Sequence, residues 1–156
     1  MRFSPQSRNF AWRAVFFLLV LRVQRGSGAN TKTCPPPCAC FGELLDCSRL
    51  KRGQIPHTIP DWTVQLDLSH NKLQLIDGSM FSKIQHLREI KLNHNELEAI
   101  PDLGPHVSNV TTLILANNKI TRISVERLTP FHALETLDLS NNNIVDVKAN
   151  SFPLFL

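Results

Sequence analysis

The stretch Leu66-Asp67-Leu68-Ser69-His70-Asn71-Lys72-Leu73 returns three times along the chain. Its copies are Ile90-Lys91-Leu92-Asn93-His94-Asn95-Glu96-Leu97, Leu113-Ile114-Leu115-Ala116-Asn117-Asn118-Lys119-Ile120 and Leu137-Asp138-Leu139-Ser140-Asn141-Asn142-Asn143-Ile144. Each reads L-x-L-x-x-N-x-L, with isoleucine accepted for leucine. The asparagines fall at 71, 95, 118 and 142, steps of 24, 23 and 24 residues. A unit that short cannot bury its own apolar side, so copies must stack. L-x-L is a short strand with both leucines inward and the middle residue outward. Successive strands then pair in parallel. The asparagine amide can satisfy backbone groups left unpaired between coils.

These features resemble leucine-rich repeats, whose period is roughly 20–29 residues. They imply an α/β-type solenoid, a horseshoe with short parallel concave strands and a mostly irregular convex side. Ile76, Ile100, Ile123 and Val147 return on the outer arc to close each core, with Phe81, Leu128 and Phe152 further along. The second repeat breaks this rhythm with Pro101-Asp102-Leu103-Gly104-Pro105, which predicts an extended arc without helix. The repeated leucines and asparagines are scaffold.

A stack needs caps at its ends. Cys34, Cys38, Cys40 and Cys47 lie within fourteen residues, spaced C-x3-C-x-C-x6-C. An even cluster behind a secretory signal reads as two disulfides, with three connectivities open. Zinc is the weaker reading, because the paired C-x2-C knuckles are absent. The cluster predicts a disulfide-bonded amino-terminal cap over 34–62. There Pro35-Pro36-Pro37 forbids a helix, and Leu45-Asp46-Cys47-Ser48 leads as a strand, through Ile55-Pro56 and Ile59-Pro60-Asp61-Trp62, into the first coil. About four repeats fill 63–156. The chain stops at Phe152-Pro153-Leu154-Phe155-Leu156 without a second cap, as a fragment or shortened variant would, leaving Leu137, Leu139, Ile144 and Val147 open on one side.

The net charge of +4 points at first to nucleic acid or an acidic membrane surface. It arises in residues 1–28, which hold five arginines (Arg2, Arg8, Arg13, Arg22, Arg25) and no acid. The rest carries twelve basic residues against thirteen acids, a net charge of −1. No nucleic-acid partner is expected. The leading arginines, the apolar run Ala14–Leu21 and the small residues Gly26-Ser27-Gly28-Ala29 lay out a signal peptide over 1–28. The run is shorter than the roughly 20 apolar residues of a membrane-spanning helix, so an uncleaved anchor is the weaker alternative. Secretion follows for the mature chain.

No nucleophile elbow, phosphate loop or H-E-x-x-H motif occurs, so no catalytic residue, metal or cofactor is expected. Binding is. The residues between the paired leucines form one outward column, Asp67, Lys91, Ile114 and Asp138. Gln65, Glu89, Thr112 and Thr136 precede it, and Ser69, Asn93, Ala116 and Ser140 follow. The first two columns are the candidate concave binding face, with Ile114 as an apolar anchor. Singly, each reads as an ordinary solvated position. His70 and His94 share a position in adjacent repeats, which places them roughly 5 Å apart. They could sense acid or hold a metal, and the plainer reading is two surface histidines. Asn109-Val110-Thr111 is the sole N-x-S/T sequon and marks Asn109 as a glycosylation site in an exposed loop.

The run Cys34-Pro-Pro-Pro-Cys38-Ala-Cys40, with Leu44-Leu45-Asp46-Cys47-Ser48-Arg49, Leu66-Asp67-Leu68-Ser69-His70-Asn71 and Asn95-Glu96-Leu97-Glu98-Ala99-Ile100-Pro101-Asp102-Leu103-Gly104-Pro105, resembles the amino terminus of the leucine-rich repeats and immunoglobulin-like domains (LRIG) family. The likeness runs from Cys34 to Phe152, and the Glu-Leu-x-x-Ile-Pro-x-Leu-Gly arc is its more specific part. It implies a single-pass plasma-membrane parent with a long repeat array, three immunoglobulin-like domains and a cytoplasmic tail. Such proteins restrain growth-factor receptor tyrosine kinases by binding their ectodomains. The chain departs from the pattern in having four repeats, no immunoglobulin-like domain and no anchor. A secreted matrix protein of the same scaffold and a truncated decoy of the parent are the alternatives.

Overall fold

A computed structural model describes residues 33–50, 56–145 and 147. The expected signal peptide at 1–28 lies outside the described residues, as does Phe152. Six three-residue strands form one sheet in chain order: β1 (Ala39–Phe41), β2 (Leu44–Asp46), β3 (Gln65–Asp67), β4 (Glu89–Lys91), β5 (Thr112–Ile114) and β6 (Thr136–Asp138). β1 and β2 are antiparallel, turning through Gly42 at φ 64°. All later neighbours are parallel. The order follows from the repeat. Each coil returns to its start one strand further on, so sequence neighbours become sheet neighbours.

The L-x-L residues sit where the alternation puts them. Leu66, Leu68, Ile90, Leu92, Leu113 and Leu115 are at most 1% exposed. They join Leu73, Leu97 and Ile120 from the turns and Phe81, Val107, Leu128 and Phe131 from the outer arcs in one continuous core. Two cap residues belong to this core as well. Leu45 and Cys47 are fully buried in the two inward positions of β2 and its exit. The cap is therefore already a coil of the solenoid, and Cys47 stands where later coils carry the second leucine.

The disulfides pair Cys34 with Cys40 and Cys38 with Cys47, settling the connectivity that spacing leaves open. Both tie the segment before β1 onto the β1–β2 hairpin. They close loops of 6 and 9 residues, which limits the freedom of the unfolded cap. The hairpin partner β1 was not legible in the sequence, because Ala39-Cys40-Phe41 is too short to show alternation.

The outer arcs are short and varied. The first carries a 3-10 turn, Gly78–Phe81, begun by Asp77, whose carboxylate accepts the Ser79 N–H at 2.9 Å. The third carries one α-helical turn, α1 (Val125–Leu128). The second is extended through Pro101–Gly104, as its prolines predict. It then closes with a 3-10 turn at Pro105–Val107 that the sequence reading did not include. Proline at its first position costs nothing there, since that N–H has no helical partner.

Between coils runs a ladder of asparagines. The Asn95 amide nitrogen donates to the Leu92 carbonyl of its own coil (2.9 Å) and the Leu68 carbonyl of the preceding one (3.0 Å). Its oxygen accepts the Leu73 N–H at 3.2 Å. Asn71, Asn118 and Asn142 repeat the same three bonds. In Asn71 the preceding-coil carbonyl is that of Cys47, so the ladder reaches into the cap.

Candidate functional site

The parallel register sets the outward residues in straight rows. Gln65 lies beside Glu89, Glu89 beside Thr112 and Thr112 beside Thr136. Asp67, Lys91, Ile114 and Asp138 form the second row in the same way. All eight candidate binding positions therefore share one face of the sheet. Gln65 and Thr136 are exposed; the six between are half-buried, Ile114 included.

The cap extends both rows. Leu44 pairs with Gln65 and Asp46 with Asp67. Sequence reasoning missed these two. The signal was present, because Leu45-Asp46-Cys47-Ser48 repeats Leu66-Asp67-Leu68-Ser69 with cysteine for leucine.

Three acids of the second row have a structural duty. Asp46, Asp67 and Asp138 each use Oδ1 to accept the N–H two residues on, from Ser48, Ser69 and Ser140, at 2.8–2.9 Å. Such bonds fix the sharp turn that leaves the strand. The Ser140 hydroxyl and N–H hold the Asp138 carboxyl below the ordinary carboxylate value. At Asp46 and Asp67 the turn bond engages Oδ1 and leaves the carboxylate further acceptor capacity.

Lys91 and Glu89 lie on the same strand and pair at 3.3 Å. Both are partly solvated, so the pair contributes little to stability. Its charges are free to reorganise toward a partner. Ile114 lies between Lys91 and Asp138, an aliphatic side chain in a polar row.

Beyond the strands the chain turns through a residue of positive φ in every coil: Arg49, His70, His94, Asn117 and Asn141, at 53–57°. Asn109 is exposed in the loop before β5. Its amide donates to the Gln85 carbonyl at 3.1 Å, and its carbonyl accepts from Arg88 at 3.1 Å.

Residues 64–103 match the model for leucine-rich repeat, and residues 108–151 the model for leucine-rich repeats in two copies. The chain is 51% identical over 125 residues to leucine-rich repeats and immunoglobulin-like domains protein 3 of Homo sapiens, covering 80% of this chain and 11% of that protein. With protein 1 of the same series, also from Homo sapiens, identity is 40% over 141 residues, covering 89% and 13%. The chain is a leucine-rich-repeat region of the LRIG family.

Tsukushi-A of Xenopus laevis is a more distant relative, 32% identical over 169 residues, covering 83% of this chain and 47% of that protein. The solved leucine-rich repeat domain of APL1B superposes with a TM-score of 0.61 at 19% identity, covering 96% of this chain and 40% of that one. That likeness shows the fold. The chain spans 11–13% of the length of the LRIG relatives named here. The matched residues of this chain form a leucine-rich-repeat scaffold. Among the described residues no helix is long and apolar enough to cross a membrane.

Proposed function

We propose that this LRIG-type region is an extracellular protein-recognition module. It engages partner ectodomains, those of growth-factor receptor tyrosine kinases among them, and contributes to regulating their signalling. One observation carries the reading: the parallel register that turns Gln65, Glu89, Thr112, Thr136, Asp67, Lys91, Ile114 and Asp138 into one continuous two-row surface. The scaffold fixes their backbones and leaves their side chains to recognition. A solenoid presents such a surface without rearrangement, which lowers the ordering cost of binding.

Within that surface the roles differ. Ile114 is the apolar anchor, and the partly solvated Lys91–Glu89 pair around it supplies charge of both signs. Asp67 keeps acceptor capacity beyond its bond from the Ser69 N–H and suits donors on the partner, whereas Ser140 engages Asp138 through both its N–H and its hydroxyl. Secretion of the mature chain after removal of 1–28 is part of the same proposal. So is a glycan on Asn109, which would shield the sheet edge at β5.

The test uses the secreted, glycosylated chain on a sensor surface, titrated with receptor tyrosine kinase ectodomains. Ile114→Arg is expected to weaken binding by about tenfold or more, since a central anchor is lost and a charge is buried. Arg122→Gln, on an exposed flank, is expected to leave binding unchanged. Equal affinity of the Ile114→Arg chain would reject the concave face as the contact surface. Intact-mass measurement reads the Asn109 glycan, whose loss in Asn109→Gln identifies the position.

A further inference from the structure

His70 and His94 occupy the strand-end turns of neighbouring coils, and their rings stack at 4.2 Å, 13° from parallel. The solenoid builds this pair. Both residues take φ 56°, so the two side chains leave equivalent backbones one coil apart. The backbone beneath is fixed, with His70 N–H bonded to the Asn93 carbonyl and His94 N–H to the Ala116 carbonyl, each at 3.0 Å. Both side chains are exposed. Among the described residues, neither imidazole has a side-chain hydrogen bond or ion pair.

The geometry points to a two-histidine site for a divalent transition-metal ion, Zn2+ or Cu2+, held between these two coils. Imidazole nitrogen suits both ions. A tetrahedral ion with nitrogens at about 2.0–2.1 Å sets its two ligands roughly 3.3 Å apart. The stacked rings stand 4.2 Å apart. Because each nitrogen lone pair lies in its ring plane, the near-parallel rings must each turn by roughly 50° to converge on a tetrahedral ion, a change of rotamer open to two exposed side chains.

Two ligands on one rigid frame outdo two separate ones. Once the first imidazole binds, the second acts at a high effective concentration, which a lone surface histidine lacks. Among the described residues no group of three or more His, Cys, Asp and Glu gathers around an ion. The site accordingly has two protein ligands, and its other positions are open to water or to a donor atom of a bound protein. The site rests on the ring geometry and is independent of the receptor reading above.

The test is calorimetric titration of Zn2+ and of Cu2+ into the full secreted chain. The expected result is one ion per chain. His70→Asn and His94→Asn are each expected to lower the affinity by about tenfold or more, through loss of the chelate. Asparagine is the apt replacement because Asn117 and Asn141 hold the same turn position at φ 56° and 53°. Asn117→His extends the histidine row by one coil and is expected to tighten binding by about tenfold. Thermal unfolding without metal checks that each variant folds. The proposal is overturned if the chain with both histidines replaced binds as tightly as the original. That outcome would move the ion to His57, His86, His106 or His132.

Discussion

Asn95 and Asn118 donate to the same acceptor, the Leu92 carbonyl, each at 2.9 Å. One comes from the same coil and the other from the next, so a single carbonyl joins two rungs of the ladder. Every interior asparagine amide thus bridges two coils, and the coils cannot loosen independently. Asn95 is 7% exposed, and its loss strands the Leu73 N–H in the core. Asn95→Ala is expected to cost about 3 kcal/mol, the combined effect of lost bonds and unsatisfied backbone groups. Asn142, on the last described strand-turn and only partly buried, should cost about 1 kcal/mol when changed to alanine. Denaturant unfolding of both variants checks the ratio. Equal small losses would show that the ladder follows from stacking and does not hold it.

Thr63 is fully buried, and its hydroxyl has no hydrogen-bond partner among the described residues. It occupies the position taken by Leu87, Val110 and Leu134 in the later coils. A buried hydroxyl without a partner is destabilising, and valine has nearly the same shape. Thr63→Val is expected to stabilise the fold by about 1 kcal/mol. Thr63→Ser keeps the hydroxyl, removes a methyl and should destabilise. A lower melting temperature for the valine variant would mean that the hydroxyl is hydrated in solution.

The scaffold was legible because its determinants are local and repeated. The leucine alternation, the asparagine spacing and the proline-broken second arc each state a backbone requirement in a few residues. What was hidden depends on contacts distant in sequence. The disulfide pairing depends on the β1–β2 hairpin, whose first strand is too short to carry a pattern. The candidate surface was half legible. Its two rows follow from the strand period, but the engagement of Asp67 and Asp138 with their own turns does not. Asp-x-Ser after an inward leucine was the available signal, and it reads as an outward acid until the turn is seen.

Gly78 meets the second outer arc more closely than any side chain allows. A Cβ there would stand 2.6 Å from the Asp102 carbonyl oxygen and 3.0 Å from the Gly104 nitrogen. Both obstacles are backbone, in the segment that the two prolines hold extended. Gly78→Ala is expected to destabilise by about 2 kcal/mol, because neither arc can yield cheaply. Gly42→Ala, where no atom lies within 4 Å, tests the alternative cause, since only its φ of 64° opposes a side chain. A Gly78→Ala chain that melts with the original would show that the two arcs separate freely in solution.

Among the described residues, four carboxylates have their proton affinity lowered by the fold. The Ser79 N–H acts on Asp77, the Lys119 ammonium on Glu96, the Ser124 hydroxyl on Glu126 and the Ser140 hydroxyl on Asp138. Each therefore binds a proton more weakly in the folded chain than in the unfolded one. Their stabilising contribution is complete above the ordinary values of 3.8 for aspartate and 4.5 for glutamate. It is lost as the pH falls through the lower folded values. The melting temperature is expected to vary little through these groups from neutral pH to about pH 5, then to fall toward pH 3. Glu96→Gln removes one titrating group together with its pairing to Lys119, 3.0 Å away across the coils. That variant should start slightly less stable at neutral pH and lose less on acidification. An identical acid slope in the two chains would mean that the Glu96–Lys119 contact does not persist in solution.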